Sequence, residues 1–209
     1  DFDGKTCPER DLRGWLKLCK AHGLTCIVKP GPFILAEFRG AGLPDWFLGK
    51  YGAEVRMCTR KGEPVQSDGV SLFNRNYLAG VARWYDQIMP LISQNQISSG
   101  GPVIMMQICN EIGVFSWLAK QADYGNAVKD HFISYLSGKF GNISEVNRLW
   151  GTDYHDFAHV ELPPDGNLPY ASRGDRGRDY EWHCFWRKYY GDYLRMLSGM
   201  ARERGVTVP

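Results

Sequence analysis

The chain has 209 residues, 44% of them apolar and 23% charged, with 25 Lys and Arg set against 23 Asp and Glu for a net charge of +2. That is enough for one sizeable core of ordinary globular composition, and the mixed signs give no reason to expect nucleic acid or an anionic membrane as a partner. The six cysteines contain no CxxC pair, which argues against a structural zinc site or a redox dithiol, and no apolar run reaches the length of a membrane span.

The first helix is expected over residues 7–22. Thr6 and Glu9 have capping-box spacing, Pro8 suits a first turn, Leu12, Trp15, Leu16 and Cys19 share a face, and Gly23 is a natural stop. "LTCIVKPGPF" then reads as a short strand ended by two prolines. Residues 34–71, rich in Gly with scattered charges, are expected to be mostly loop. A helix follows over residues 76–92, with Tyr77, Val81, Trp84, Tyr85 and Ile88 inward and Pro90 bending or ending it.

The segment "GGPVIMMQICNEIG", Gly100 to Gly113, has the rhythm of a buried strand but finishes on Asn110 and Glu111. Helices are expected over 126–139, with Val128, Phe132, Tyr135 and Leu136 buried, and over 144–150. Asn142-Ile143-Ser144 fits a glycosylation sequon, and Asn142 with Glu145 fits a helix cap, which we prefer. "LPPDGNLPYASRGDRGRD" reads as loop, with Arg173, Arg176 and Arg178 solvated. The last helix is expected over 180–204, and Val206 to Val208 begins another strand. Helix and strand alternate as in a parallel sheet with covering helices. The reading is therefore an α/β chain, a partial (β/α)8 barrel holding its middle strands and helices. Residues 1–209 form a single piece of a catalytic domain that reads as cut at both ends.

In a strand, alternate residues share a face, so Glu111 falls with Val103, Met105, Gln107 and Cys109 at the carboxyl end of its strand. Ligands sit at that end in barrels and open parallel sheets. A carboxyl group placed there can act as a general acid, or it can be the first solvated loop residue; spacing alone leaves both readings open. An adjacent amide can hold a ligand hydroxyl while the acid protonates a neighbouring oxygen.

Two stretches resemble glycoside hydrolase family 35, a family of retaining β-galactosidases. "GGPVIMMQICNEIG" is similar to its G-G-P-I-I-x-x-Q-x-E-N-E-Y-G, and "VKPGPFILAEFRGAGLPDWFL" to its R-P-G-P-Y-I-x-A-E-W-x-x-G-G-L-P-x-W-L. "NRLWGTDYHDF" with "VELP" is similar instead to family 42 of the same clan. The resemblance implies that Glu111 is the acid/base of a retaining glycosidase and that Asn110 binds the sugar's 2-hydroxyl. It places Ala36 and Glu37 on the pair that holds galactose hydroxyls. Retaining hydrolysis needs a second carboxylate about 5 Å from the acid. The resemblance puts that nucleophile on a later strand beyond Pro209, so this chain alone is expected to be inactive. Around these groups the chain departs from the pattern. Lys29 replaces Arg, Phe33 replaces Tyr, Phe38 replaces Trp, Cys109 replaces Glu, Ile112 replaces Tyr, and Arg39-Gly40-Ala41 alters the following loop.

Trp46, Phe47, Phe115, Trp117, Trp150 and Tyr154 lie in or near loops that follow strands, where aromatic faces can carry sugar rings; buried anchoring is the alternative for each. Trp117 is the foremost candidate, because it follows Glu111 closely. No cofactor or metal is called for. His155 and His159 are read as surface residues, and Gly40-Ala41-Gly42 is not a dinucleotide-binding loop. The expected partner is a carbohydrate substrate, and homo-oligomerisation of the full-length protein is compatible with the sequence. The alternatives are a β-glycosidase for another sugar and a degenerate barrel that binds carbohydrate without cleaving it.

Overall fold

The computed structural model of the chain describes residues 2–35, 38–65, 67–114, 122–163 and 172–209. These fall into two compact units. One is built from Asp1–Phe47, Ala79–Glu111 and Leu194–Pro209, the other from Leu48–Leu78 and Ile112–Tyr193.

In the first unit, helix α1 (Leu12–Ala21) buries Leu16 and Cys19. Its cap is Asp11, whose carboxylate accepts the Gly14 N–H at 2.8 Å. The expected Thr6–Glu9 box is not the cap: Pro8–Arg10 form a separate 3-10 turn, and the Glu9 carboxylate accepts the Cys7 thiol instead. Strand β1 (Cys26–Val28) follows. Helix α2 (Asp45–Val55), whose residues from Leu48 on belong to the second unit, occupies part of the stretch expected to be loop. Its two glycines and scattered charges hide the helical pattern. Helix α3 (Arg75–Asn95) runs through Pro90 and continues for five residues beyond it, so the expected ending there is not realised. The residues after Pro90 are held by burial, with Leu91 and Ile92 each 1% exposed.

Strand β2 (Val103–Met106) pairs parallel with β1, with Ile27 opposite Met105, Val28 opposite Met106 and an irregularity between Cys26 and Ile27. The N–H groups of Met106 and Gln107 donate to opposite sides of β2, the first to the Pro209 carbonyl at 2.8 Å and the second to that of Val28 at 2.9 Å. The strand expected to begin at Val206 is thus an extended segment beside β2. Buried Gln96 clamps it by donating to the Gly205 carbonyl at 3.1 Å and accepting the Thr207 N–H at 2.7 Å. One sheet face is covered, with Val103 and Met106 buried, while Ile27 and Met105 on the other are 59% and 44% exposed.

The second unit is organised by α4 (Asn126–Phe140), α5 (Ile143–Trp150) and the N-terminal two-thirds of α6 (Arg173–Glu203). Phe132 is fully buried, with Trp182 and Phe185 ring centroids at 5.0 and 5.1 Å. Asn142 caps α5 by accepting the Glu145 N–H at 3.1 Å, as preferred from sequence. Helix α6 starts seven residues before the expected Tyr180, which puts Arg173, Arg176 and Arg178 on a helix and not in a loop. Its start is a reciprocal cap. The Ser172 hydroxyl accepts the Asp175 N–H at 3.1 Å, and the Asp175 carboxylate accepts the Ser172 N–H at 3.0 Å. Gly174, which reads as a loop residue, is required by packing, since a Cβ there would lie 1.9 Å from the Trp150 carbonyl oxygen. Between α4 and α6, Lys139 binds both carboxylate oxygens of buried Glu181 at 2.7 and 2.9 Å, and the Tyr135 hydroxyl donates to the same group at 2.6 Å.

Candidate active site

The loop after β1 is tied down from two directions. Trp84 on α3 donates its indole N–H to the Pro30 carbonyl at 2.7 Å, and Tyr85 donates its hydroxyl to that of Gly31 at 3.1 Å. Further on, the Ile34 and Leu35 N–H groups donate to the Ala41 carbonyl at 3.1 and 3.2 Å. Gly42 makes this clamp possible, because a Cβ there would sit 2.3 Å from Ile34. Leu35 and Ala41 both carry positive φ, 50° and 54°, a conformation that non-glycine residues adopt at a cost and that clusters in functional loops.

The segment after β2 lies against this loop. The Asn110 N–H donates to the Phe33 carbonyl at 3.2 Å. Gln107 donates its side-chain N–H groups to the Cys109 carbonyl at 3.1 Å and to the Asn110 side-chain oxygen at 2.8 Å. Gln107, Cys109 and Asn110 are half-buried, and Glu111 is exposed. The sequence placed Glu111 on the strand's alternating face, but β2 ends at Met106, and Glu111 has φ 48°. The left-handed turn, and not β alternation, decides which way this side chain leaves the backbone. Cys109 stands where the family pattern has a glutamate. Burial pushes its thiol up to about 11, with the hydrogen bond from the Asn110 backbone opposing, so the position is neutral where the pattern has an anion.

Of the expected site residues, Asn110 and Glu111 are brought together at the carboxyl end of β2, while Ala36, Glu37 and Trp117 lie outside the described residues, as does Phe115. Phe47 and Trp150 are buried anchors, and Tyr154 packs against the core of the second unit. Trp46 is 61% exposed with the Arg83 guanidinium 5.7 Å from its ring. Sequence reasoning passed over Gln107. No strand pattern signals it, since residues three apart do not meet in a regular strand and do so here only because β2 ends at Met106.

His155 and His159 are exposed, as expected. Their imidazole Nδ1 atoms lie 3.3 and 2.7 Å from the two carboxylate oxygens of Asp156, and the three residues can bring one ligand atom each within 4.8 Å of one another. The hydrogen bonds from His159 and then His155 hold the Asp156 carboxyl down at about 2. Also in the second unit, Arg60, Tyr124, Lys129, His159 and Glu161 help to line a depression of about 410 Å3.

The parallel β1–β2 pair with its helices fits a piece of a (β/α)8 barrel, with Asn110 and Glu111 following β2. The backbone superposes on 98% of its length, with a TM-score of 0.74 and 17% identity, on 28% of a β-galactosidase from the haloarchaeon Halorubrum lacusprofundi. The chain belongs to glycosyl hydrolases family 35, whose sequence model matches residues 1–154. Over its whole length it is 37% identical to a β-1,2-glucosyltransferase of Ignavibacterium album and 27% identical to an exo-β-D-glucosaminidase of Pyrococcus horikoshii. It spans 29% and 27% of those two proteins.

Proposed function

We propose that the full-length protein is a retaining, β-galactosidase-like glycosidase acting on terminal β-linked sugars, with Glu111 as its acid/base. The observation that carries the reading is the exposed Glu111 next to half-buried Asn110 at the carboxyl end of β2. In the first step the Glu111 carboxyl gives its proton to the glycosidic oxygen while that C–O bond breaks. A carboxylate nucleophile about 5 Å from the acid, which the family pattern puts on a later strand, bonds to the anomeric carbon as the glycosidic bond breaks. In the second step Glu111, now a carboxylate, takes a proton from water as the water oxygen replaces the enzyme carboxylate. Asn110 binds the 2-hydroxyl in this reading. Ala36 and Glu37 hold other hydroxyls, and Trp117 offers a ring face to the sugar.

The test is Glu111→Gln in the full-length protein, assayed on a series of aryl β-glycosides. Turnover of poor leaving groups falls by about 10²–10⁴, the usual worth of a general acid, while a dinitrophenyl glycoside loses far less in the first step. Equal losses on both would exclude an acid role. A second reading, glucosyl transfer, is favoured by the 37% identity to a glucosyltransferase. It keeps both carboxylates and replaces water by a sugar hydroxyl, so adding an acceptor sugar and analysing products separates the two.

A further inference from the structure

Resting on the reading of Asn110 as the ligand of the sugar's C2 substituent, the polarity of that contact can be assigned. The Gln107 nitrogen lies 3.1 Å from the Cys109 backbone carbonyl and 2.8 Å from the Asn110 side-chain oxygen. A backbone carbonyl oxygen can only accept, so it fixes which end of the Gln107 amide faces it. The same nitrogen faces Asn110 and requires an acceptor there, which turns the Asn110 oxygen inward and leaves its NH2 group to donate outward. Both partners are anchored through their backbones, Gln107 by donating to Val28 and Asn110 by donating to Phe33. The chain of dipoles therefore runs from the Cys109 carbonyl through two amides to whatever sits on Asn110.

We propose that Gln107 is a positioning residue that holds Asn110 as a hydrogen-bond donor and thereby selects sugars with a hydroxyl at C2 over 2-amino sugars. A hydroxyl oxygen accepts from an amide NH2, whereas an ammonium group has no lone pair to offer and must face that NH2 as donor against donor. The assignment separates this chain from a 2-amino-sugar specificity such as that in the name of its Pyrococcus horikoshii relative.

The experiment uses the full-length protein, with wild type, Gln107→Leu, Gln107→Glu and Asn110→Ala compared after thermal unfolding has confirmed that each is folded. For each, kcat/KM is measured at pH 5.5 on the best aryl β-glycoside and on its 2-amino-2-deoxy and 2-deoxy counterparts. Gln107→Leu lowers the hydroxyl-over-deoxy ratio by about tenfold, the worth of one hydrogen bond. Once ionised, the carboxylate of Gln107→Glu accepts from Asn110, so it inverts the amide and moves the hydroxyl-over-amino ratio toward the amino sugar by about tenfold or more. In the Asn110→Ala background both effects vanish, which a through-space charge effect would not do. Unchanged ratios in folded Gln107 variants overturn the proposal while leaving the glycosidase reading intact. If wild type cleaves no aryl glycoside, the glycosidase reading fails separately. The same ratios are then read from equilibrium binding of the three free sugars, where indifference to the C2 group, or no binding at all, overturns the proposal.

Discussion

Replacing Lys139 by methionine keeps most of the side-chain volume and removes the ammonium that bridges both oxygens of Glu181. The Glu181 side chain is 10% exposed, so its carboxylate is left with the Tyr135 hydroxyl and little water. Breaking a fully buried pair costs about 3–5 kcal/mol. Here the Lys139 side chain is 40% exposed, and water already competes for the ammonium, so the expected cost is about 2 kcal/mol. Urea unfolding followed by tryptophan fluorescence reads this directly, because Trp182 sits in the same core. The double change Lys139→Met with Glu181→Leu removes the stranded charge and returns stability to within about 1 kcal/mol of wild type. The pair also carries a pH signature. Burial first, and then the Glu181 carboxylate, push Tyr135 up to about 12; burial pulls Lys139 down, but its bonds to Glu181 and Tyr135 outweigh this and lift it. Both groups hold their protons in the folded state after the unfolded chain has lost them. Their contribution is complete below about pH 10 and is lost as pH rises toward 12. A neutral Lys139→Met variant, or a double variant as unstable as the single one, would refute the reasoning.

Cys109, at about 11, holds far less thiolate at pH 8 than an ordinary cysteine, so iodoacetamide labels it more than about a hundredfold more slowly than a free thiol; peptide mapping after timed labelling gives the rate, and labelling as fast as free cysteine would show that the site is not desolvated. Asp156, at about 2, contributes stability that is present above the usual carboxyl range near 3.9 and lost as pH falls through about 2; in His159→Ala an NMR titration finds its carboxyl moved back toward that range. Asn142→Ala removes the α5 cap and costs about 1 kcal/mol, while Asn142→Asp retains it, which urea midpoints distinguish.

Where a local pattern is backed by packing, the sequence discloses the element. Val128, Phe132 and Leu136 line one side of α4 and are fully buried, and the Asn142 cap is as expected. Where glycine serves tertiary packing, the local pattern misleads. Gly174 reads as loop but sits in the first turn of α6 because the Trp150 carbonyl leaves no room for a Cβ. Pro90 reads as a bend or a terminus, and buried residues on both sides carry α3 past it. At the site, the sequence shows the Asn110–Glu111 pair near the carboxyl end of a strand, but not that β2 stops at Met106, four residues before Asn110. The left-handed backbone at Glu111 was not legible, because Glu has no intrinsic preference for it and only the surrounding contacts impose it. The Gln107–Asn110 bond was likewise hidden, since residues three apart do not meet in a regular strand and do so here only because β2 stops at Met106.

The pairing of Ile27 with Met105 bears on how these 209 residues behave in the test tube. Both side chains stand in water on the same side of a ladder, and among the described residues β1 has no strand along its other edge. A wet apolar stripe beside open backbone donors and acceptors is a template for self-association. Produced alone, the polypeptide will therefore favour colloidal clusters that grow with concentration and with salting-out ions, and a lysine at position 27 should raise its solubility.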